Sequence, residues 1–266
     1  MGVFFDCVQK IMEEKTLTEK KRADEALKQL GFTDSREKAK RLIMAGLVMA
    51  LPPRAKIAER VGKPGQVLPE GTVVSLKERE RFVSRGGYKL LTAIEAFNLD
   101  VFGKTCLDAG ASTGGFTDCL LQHGAEKVYA VDVGTGQLDI SLRLDERVVS
   151  MENVNLRHTR ENLLPEPVDV VVADVSFISL TLVLPPCVNY LRSGGLLVCL
   201  IKPQFELEPK DVKSGVVHDE ELQKKAVKKI LEFCVNTLHL AFRGVVPAQI
   251  KGPKGNQEYL AVFTKA

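Results

Sequence analysis

The chain has 266 residues, 45% of them hydrophobic, so it can bury one large core and a small one, and a disordered chain is excluded. No apolar run nears the roughly 18 residues of a membrane span, and the start, Met1-Gly2-Val3-Phe4-Phe5-Asp6, has neither the regions of a secretion signal nor a myristoylation site. The net charge of +3 excludes little, but twelve Lys/Arg against five Asp/Glu between residues 20 and 63 leave the rest of the chain net negative, which suggests a nucleic-acid-facing N-terminal module.

Two short helices are legible in that basic stretch. The first is expected over 21–30, with Ala23, Ala26, Leu27 and Leu30 at helical spacing and Gly31 ending it. The second starts after Ser35, a good N-cap, and stops at Gly46. Ala39, Leu42 and Ile43 form its apolar stripe, and Arg36, Lys38, Lys40 and Arg41 cover its other faces. Short strands are expected at 47–49, around Val67 and at 72–76. Arg22-Ala23-Asp24-Glu25-Ala26-Leu27, Ser35-Arg36-Glu37-Lys38-Ala39 and Ile43-Met44-Ala45-Gly46-Leu47-Val48 together resemble the S-four-like RNA-binding domain. The resemblance covers about residues 21–76 and implies a small α+β fold in which Arg36, Lys38, Lys40 and Arg41 contact RNA phosphates. It departs from the family pattern at Leu51-Pro52-Pro53-Arg54, where a tight Asn-Gly-type turn is more usual.

The mixed charge run Lys77-Glu78-Arg79-Glu80-Arg81 marks the boundary, giving domains over 1–80 and 81–266. After it, Gly86-Gly87 is expected to turn the backbone before a helix that begins near Tyr88 and buries Leu90, Leu91, Ile94 and Phe97. From residue 104 strands and helices alternate. Strands are expected at 105–108, 127–132, 148–151, 168–174, 196–201, 241–246 and 259–264, a pattern that argues for a parallel, doubly wound α/β sheet.

The first of these strands leads into Asp108-Ala109-Gly110-Ala111-Ser112-Thr113-Gly114-Gly115-Phe116. Small residues allow a tight turn there and close approach of backbone to a ligand. Asp132 ends the next strand 22 residues after Gly110, where an acid can bind ribose hydroxyls. No lysine follows the glycines, which excludes a phosphate-binding loop of the G-x-x-x-x-G-K type. The segment looks like the first motif of S-adenosylmethionine methyltransferases. That resemblance implies a Rossmann-like domain in which Asp108 belongs to the cofactor site, Gly110, Ser112, Gly114, Gly115 and Phe116 line the methionine part, Asp132 meets the ribose and Asn153 the adenine.

Four polar residues fall where such a sheet collects them. Asp174 ends the fourth strand and Lys202 the fifth, Lys89 begins the preceding helix, and Glu258 directly precedes the last strand. They look like the Lys-Asp-Lys-Glu tetrad of the FtsJ-like ribose 2′-O-methyltransferases. A ribose hydroxyl is a poor nucleophile until it loses its proton, so the reaction needs a base and close alignment. The resemblance implies Lys202 as proton acceptor, Lys89 as a second cation that orients the hydroxyl, and Asp174 and Glu258 as carboxylates that position the lysines. A neighbouring cation favours a neutral amine and a neighbouring carboxylate opposes it, and the sequence leaves that balance open.

The order of parts, ending in Asp174-Val175-Ser176-Phe177-Ile178-Ser179, is similar to the TlyA family, also called haemolysin A, from about residue 20 to the C-terminus. The similarity implies methylation of ribosomal RNA, as free RNA or in ribosomal subunits, at a cytidine 2′-hydroxyl and in the cytoplasm, with no stable membrane association. Rival readings are a membrane-active haemolysin, which needs a membrane-seeking segment, and an RNA-binding protein whose enzyme domain is inactive. Residues 203–220 read as a long mobile loop over the site. Cys187 reads as a core residue near the start of an apolar helix. The six cysteines lack a C-x-x-C pair, so neither a disulfide framework nor a metal site is indicated.

Overall fold

The structure, a computed structural model, describes residues 11–77, 81–158 and 163–266. It divides into two compact units, 1–81 and 82–266. Residues 78–80, inside the expected boundary run, lie outside the described residues.

The first unit comprises β1 (Ile11–Thr16), β2 (Lys21–Arg22), α1 (Ala23–Gln29), α2 (Arg36–Met44), β3 (Val48–Leu51), β4 (Glu59–Arg60), β5 (Val67–Leu68) and β6 (Val73–Lys77). Ala23, Ala26 and Leu27 of α1 and Ala39 and Ile43 of α2 are fully buried against Val48 and Val74 of the sheet. Ser35 caps α2 by accepting a bond from the Lys38 N–H (3.3 Å). The sheet runs β1-β6-β3-β4, all antiparallel. Its edge strand β1 escaped the sequence reading because Ile-Met-Glu-Glu-Lys-Thr does not alternate. At the Pro52-Pro53 turn, Arg54 takes the left-handed conformation (φ 73) that Asn or Gly more often supplies.

The second unit contains α3 (Gly86–Phe97), β7 (Thr105–Ala109), α4 (Gly115–Gln122), β8 (Lys127–Val131), α5 (Ile140–Arg143), β9 (Val148–Met151), β10 (Val168–Ala173), α6 (Leu180–Tyr190), β11 (Leu191–Ile201), α7 (Pro203–Glu206), α8 (Glu220–Asn236), β12 (Leu240–Pro247) and β13 (Tyr259–Lys265). Its seven strands lie in the order β12-β13-β11-β10-β7-β8-β9. Alternate residues of the central strands feed two cores. Cys106, Val170, Val172, Val198 and Leu200 join α3 and α4 on one face. Leu107, Val171, Ala173, Leu197 and Cys199 join α6 and α8 on the other. This is a Rossmann-like, doubly wound sheet with one departure from the expected parallel arrangement. β13 runs antiparallel to both β11 and β12.

That reversal matters for the site. Tyr259 pairs with Ile201, so Glu258, just before β13, reaches the sheet end where Lys202 follows β11. In a wholly parallel sheet the residue before the last strand would lie at the opposite end. β7 and β10 are parallel neighbours, but β8 and β9 are added on one side of β7 and β10 and the later strands on the other, and this switch point opens the crevice used by α/β folds.

The glycine pair behaves differently from expectation. Gly86 and Gly87 form the first turn of α3 rather than a bend before it. Gly87 is required by packing, since a Cβ there would lie 2.3 Å from the ring of Phe82. Residues 203–220 also differ from a mobile loop. Buried Glu206 accepts bonds from Ser179 Oγ (2.5 Å) and the Leu180 N–H (2.8 Å), and Asn256 accepts from the Val217 N–H (2.9 Å) and donates to the Gly215 carbonyl (2.9 Å). Cys187 lies in the second half of α6, not near its start; it is buried, and burial pushes its thiol up to about 12.

Candidate active site

A cleft of about 600 Å³ opens at the carboxyl ends of β7, β10 and β11. One wall is the turn after β7. Gly110 there has φ 87, and a Cβ on it would lie 2.6 Å from the Asp174 carbonyl oxygen, so only glycine lets the two strand ends meet. Ser112, Gly115 and Phe116 line the same wall. Gly115 packs on the start of α3, where a Cβ would meet Ser84 Oγ at 2.3 Å and the Gly87 nitrogen at 2.8 Å. Close contact of two helix starts therefore depends on glycines from both.

The facing side holds Lys89, Asp174, Lys202 and Glu258, all four in the cleft lining. They form two separate pairs. Lys89 Nζ donates to Glu258 Oε2 at 2.6 Å, and both side chains are buried. Lys202 Nζ lies 2.5 Å from Asp174 Oδ1, an ion pair that lacks hydrogen-bond alignment, and donates an aligned bond to Ser176 Oγ at 2.8 Å. With Gly110 at the foot of the turn, two cations and two anions thus converge where a polar ligand and a backbone cradle can meet.

Other expected cofactor residues sit outside this lining. Asp108 is fully buried, accepts a bond from Thr117 Oγ1 (2.7 Å), and leaves Oδ1 without a partner. Burial raises its carboxyl to about 7, so it braces the turn instead of facing the cleft. Gly114 is filled over by Leu142 and Leu138. Asp132 accepts bonds from the N–H groups of Ser112 (2.8 Å) and Gly134 (2.7 Å), which fixes the turn to the end of β8. Asn153, at φ 59, accepts from Thr135 Oγ1 (2.8 Å).

In the first unit, three of the four expected RNA-facing cations have internal partners. Arg36 pairs with Asp24 (2.9 Å), Lys38 with Asp34 (2.6 Å) and Lys40 with Glu37 (2.7 Å). Asp24 is buried, and bonds from Arg22 first and Arg36 second hold its carboxyl down to about 2. Lys38 and Arg41 also border an open hollow of about 670 Å³ whose apolar residues include Phe32, Leu42 and Leu47.

The sequence reading gave no role to Ser176 or Phe177. Phe177 is 91% exposed, holds φ 64, and its ring centre lies 5.1 Å from that of Phe205, another lining residue. A left-handed, exposed aromatic residue beside a cleft is costly unless it serves a ligand. An aromatic residue three positions after a strand-ending acid was the one available signal.

Residues 82–265 match the model of the FtsJ-like methyltransferase family. The chain is 42% identical over 248 residues to "Hemolysin A" of Brachyspira hyodysenteriae, covering 91% of this chain and 99% of that protein. The chain belongs to the FtsJ-like methyltransferase family, in its TlyA (haemolysin A) branch. A Mycobacterium tuberculosis protein named "16S/23S rRNA (cytidine-2'-O)-methyltransferase TlyA" is 43% identical over 244 residues, covering 90% of this chain and 87% of that one. A solved structure from Streptococcus thermophilus, described as a candidate hemolysin, is 41% identical with a TM-score of 0.69, covering 94% of this chain and 90% of that one. Among the described residues no helix is long and apolar enough to cross a membrane.

Proposed function

We propose that this protein transfers a methyl group from S-adenosylmethionine to a ribose 2′-hydroxyl of ribosomal RNA, with cytidine as the modified nucleoside. The observation that carries this reading is the convergence of two lysine–carboxylate pairs on one cleft beside a glycine-rich turn. The name of the M. tuberculosis relative supports the choice of acceptor. The proposed setting is the cytoplasm, and the five described cysteines are buried thiols outside any disulfide, which suits a reducing compartment.

The cleft fits the cofactor on its chemistry. Its turn offers backbone and hydroxyl groups without the lysine a phosphate ligand calls for, and Asp174 supplies a carboxylate suited to a positively charged sulfonium. Gly110, Ser112, Gly115 and Phe116 would hold the methionine part, Asp132 the ribose and Asn153 the adenine, with Asp108 and Gly114 shaping the turn from beneath. When bound, the cofactor supplies a methyl carbon activated by its sulfonium.

The protein's own residues then act on the acceptor. Lys202 gives up its own proton before the reaction; its neutral amine then receives the proton of the 2′-hydroxyl, and the Asp174 carboxylate faces the ammonium that re-forms. Lys89, fixed by Glu258, presents a second positive group to the oxygen as it loses its proton. Phe177 and Phe205 offer a flat apolar surface on which an unstacked base can lie. In the first unit, Arg36, Lys38 and Lys40 meet RNA by exchanging carboxylate partners for phosphates, Arg41 joins them on the same phosphates, and these contacts weaken with salt.

The test is to incubate the purified protein with labelled S-adenosylmethionine and unmodified ribosomal subunits, digest the RNA and identify the labelled nucleoside. Labelled 2′-O-methylcytidine is expected. Label on a base or on protein would overturn the reading. Lys202→Ala should lower kcat by about 100-fold or more, and full activity in that variant would remove Lys202 as proton acceptor.

A further inference from the structure

The two partners of Lys202 differ in kind. Asp174 Oδ1 is near but unaligned, whereas the bond to Ser176 Oγ meets hydrogen-bond geometry. Charge attraction depends on distance, while a hydrogen bond also fixes direction. As a neutral amine the lysine nitrogen carries one lone pair, and of the three staggered positions about its Cε–Nζ bond only some aim that lone pair at a given substrate atom. Asp174 holds the nitrogen near the cleft without selecting among those positions. Ser176 selects.

We propose that Ser176 is a positioning residue for methyl transfer: by accepting a bond from Lys202 Nζ, it aims the remaining positions of that nitrogen at the ribose hydroxyl. The proposal rests on the cleft being a ribose 2′-O-methyltransferase site. Ser176 is well placed for the task, since it follows Asp174 by two residues and lines the same cleft. It also has no evident duty elsewhere. Ser35 and Ser179 cap helices α2 and α6, but Ser176 is an exposed residue outside any helix or strand, and among the described residues its hydroxyl bonds to Lys202 alone. The next residue, Phe177, holds a left-handed backbone (φ 64), so this segment bends at a cost that a plain connection would avoid.

The experiment compares the wild-type protein with Ser176→Ala, Ser176→Thr and Lys202→Ala in methylation of unmodified ribosomal subunits. It measures kcat, KM for subunits, cofactor Kd by calorimetry, and Tm. Ser176→Ala should lower kcat about 5- to 20-fold, the scale of one aligned hydrogen bond. KM, Kd and Tm should stay near wild type, and Ser176→Thr, which keeps the hydroxyl, should recover most of the rate. Wild-type kcat in Ser176→Ala, a loss confined to KM, or a rate loss that tracks lowered Tm or weakened cofactor binding would each overturn the proposal. So would a well-folded Ser176→Thr that recovers nothing. If the wild-type protein labels RNA and Lys202→Ala does not, the reading of the cleft survives and only the role of Ser176 is at stake. No label with the wild-type protein overturns both.

Discussion

On α2, the Lys40–Glu37 pair leaves 43% and 73% of its side chains exposed, whereas the Lys89–Glu258 pair at the cleft leaves 9% and 1%. Both join a lysine to a carboxylate at nearly the same distance, 2.7 and 2.6 Å. Water decides the difference between them. An exposed pair is screened, contributes little to stability, and can exchange its carboxylate for another anion such as a phosphate. A buried pair cannot trade partners for water, so loss of either member leaves an unpaired charge in the interior. The first unit therefore has lysines whose partners can be exchanged, and the second has a lysine locked to its carboxylate.

The comparison breaks most readily at Glu258. Glu258→Ala should destabilise the protein by about 3–5 kcal/mol because Lys89 is left buried and alone. Equilibrium denaturation measures this, and a change under about 1 kcal/mol would mean that water reaches Lys89.

Asp108 sharpens the argument, because it is a buried carboxylate without a cation. Its folded-state value is raised by burial from 3.8 to about 7, so between those values the native state keeps a proton that the unfolded chain releases. Stability is then greatest below pH 4 as far as this group is concerned, and declines as pH rises toward 7. From pH 5 to 7 the decline is about 2–3 kcal/mol. Asp108→Asn removes the titration, so its stability should lack this component over that interval while Thr117 keeps an acceptor. Equal pH slopes in the two proteins would show that Asp108 is ionised at pH 5.

At the exposed end of the comparison, Lys40→Ala should change stability by less than about 0.5 kcal/mol. Arg36, Lys40 and Arg41 reversed together to Glu should weaken RNA binding while cofactor affinity stays at the wild-type level. Loss of both affinities would indicate misfolding, and loss of neither would remove this helix from the RNA interface.

The sequence alone was enough for what depends on near neighbours in the chain. Near-continuous apolar strands, the Asp108 to Phe116 turn with Asp132 beyond it, and the Ser35 cap were all legible, since each is set by local spacing and by turn or capping chemistry. Asp174, Lys202 and Glu258 were legible as types at strand ends, and Lys89 as a lysine at a helix start, with their motifs to mark them. Their pairing was not. Lys89 meets Glu258 across 169 positions because β13 runs antiparallel, and strand direction is fixed by sheet packing rather than by residues near Glu258. Some near-neighbour contacts also stayed hidden, because spacing does not fix side-chain direction: Phe82 packs on Gly87 five residues later, and Glu37 pairs with Lys40 one turn along α2. The bond from Lys202 to Ser176 and the left-handed Phe177 also belong to the tertiary structure, because they depend on how the end of β10 meets the end of β11.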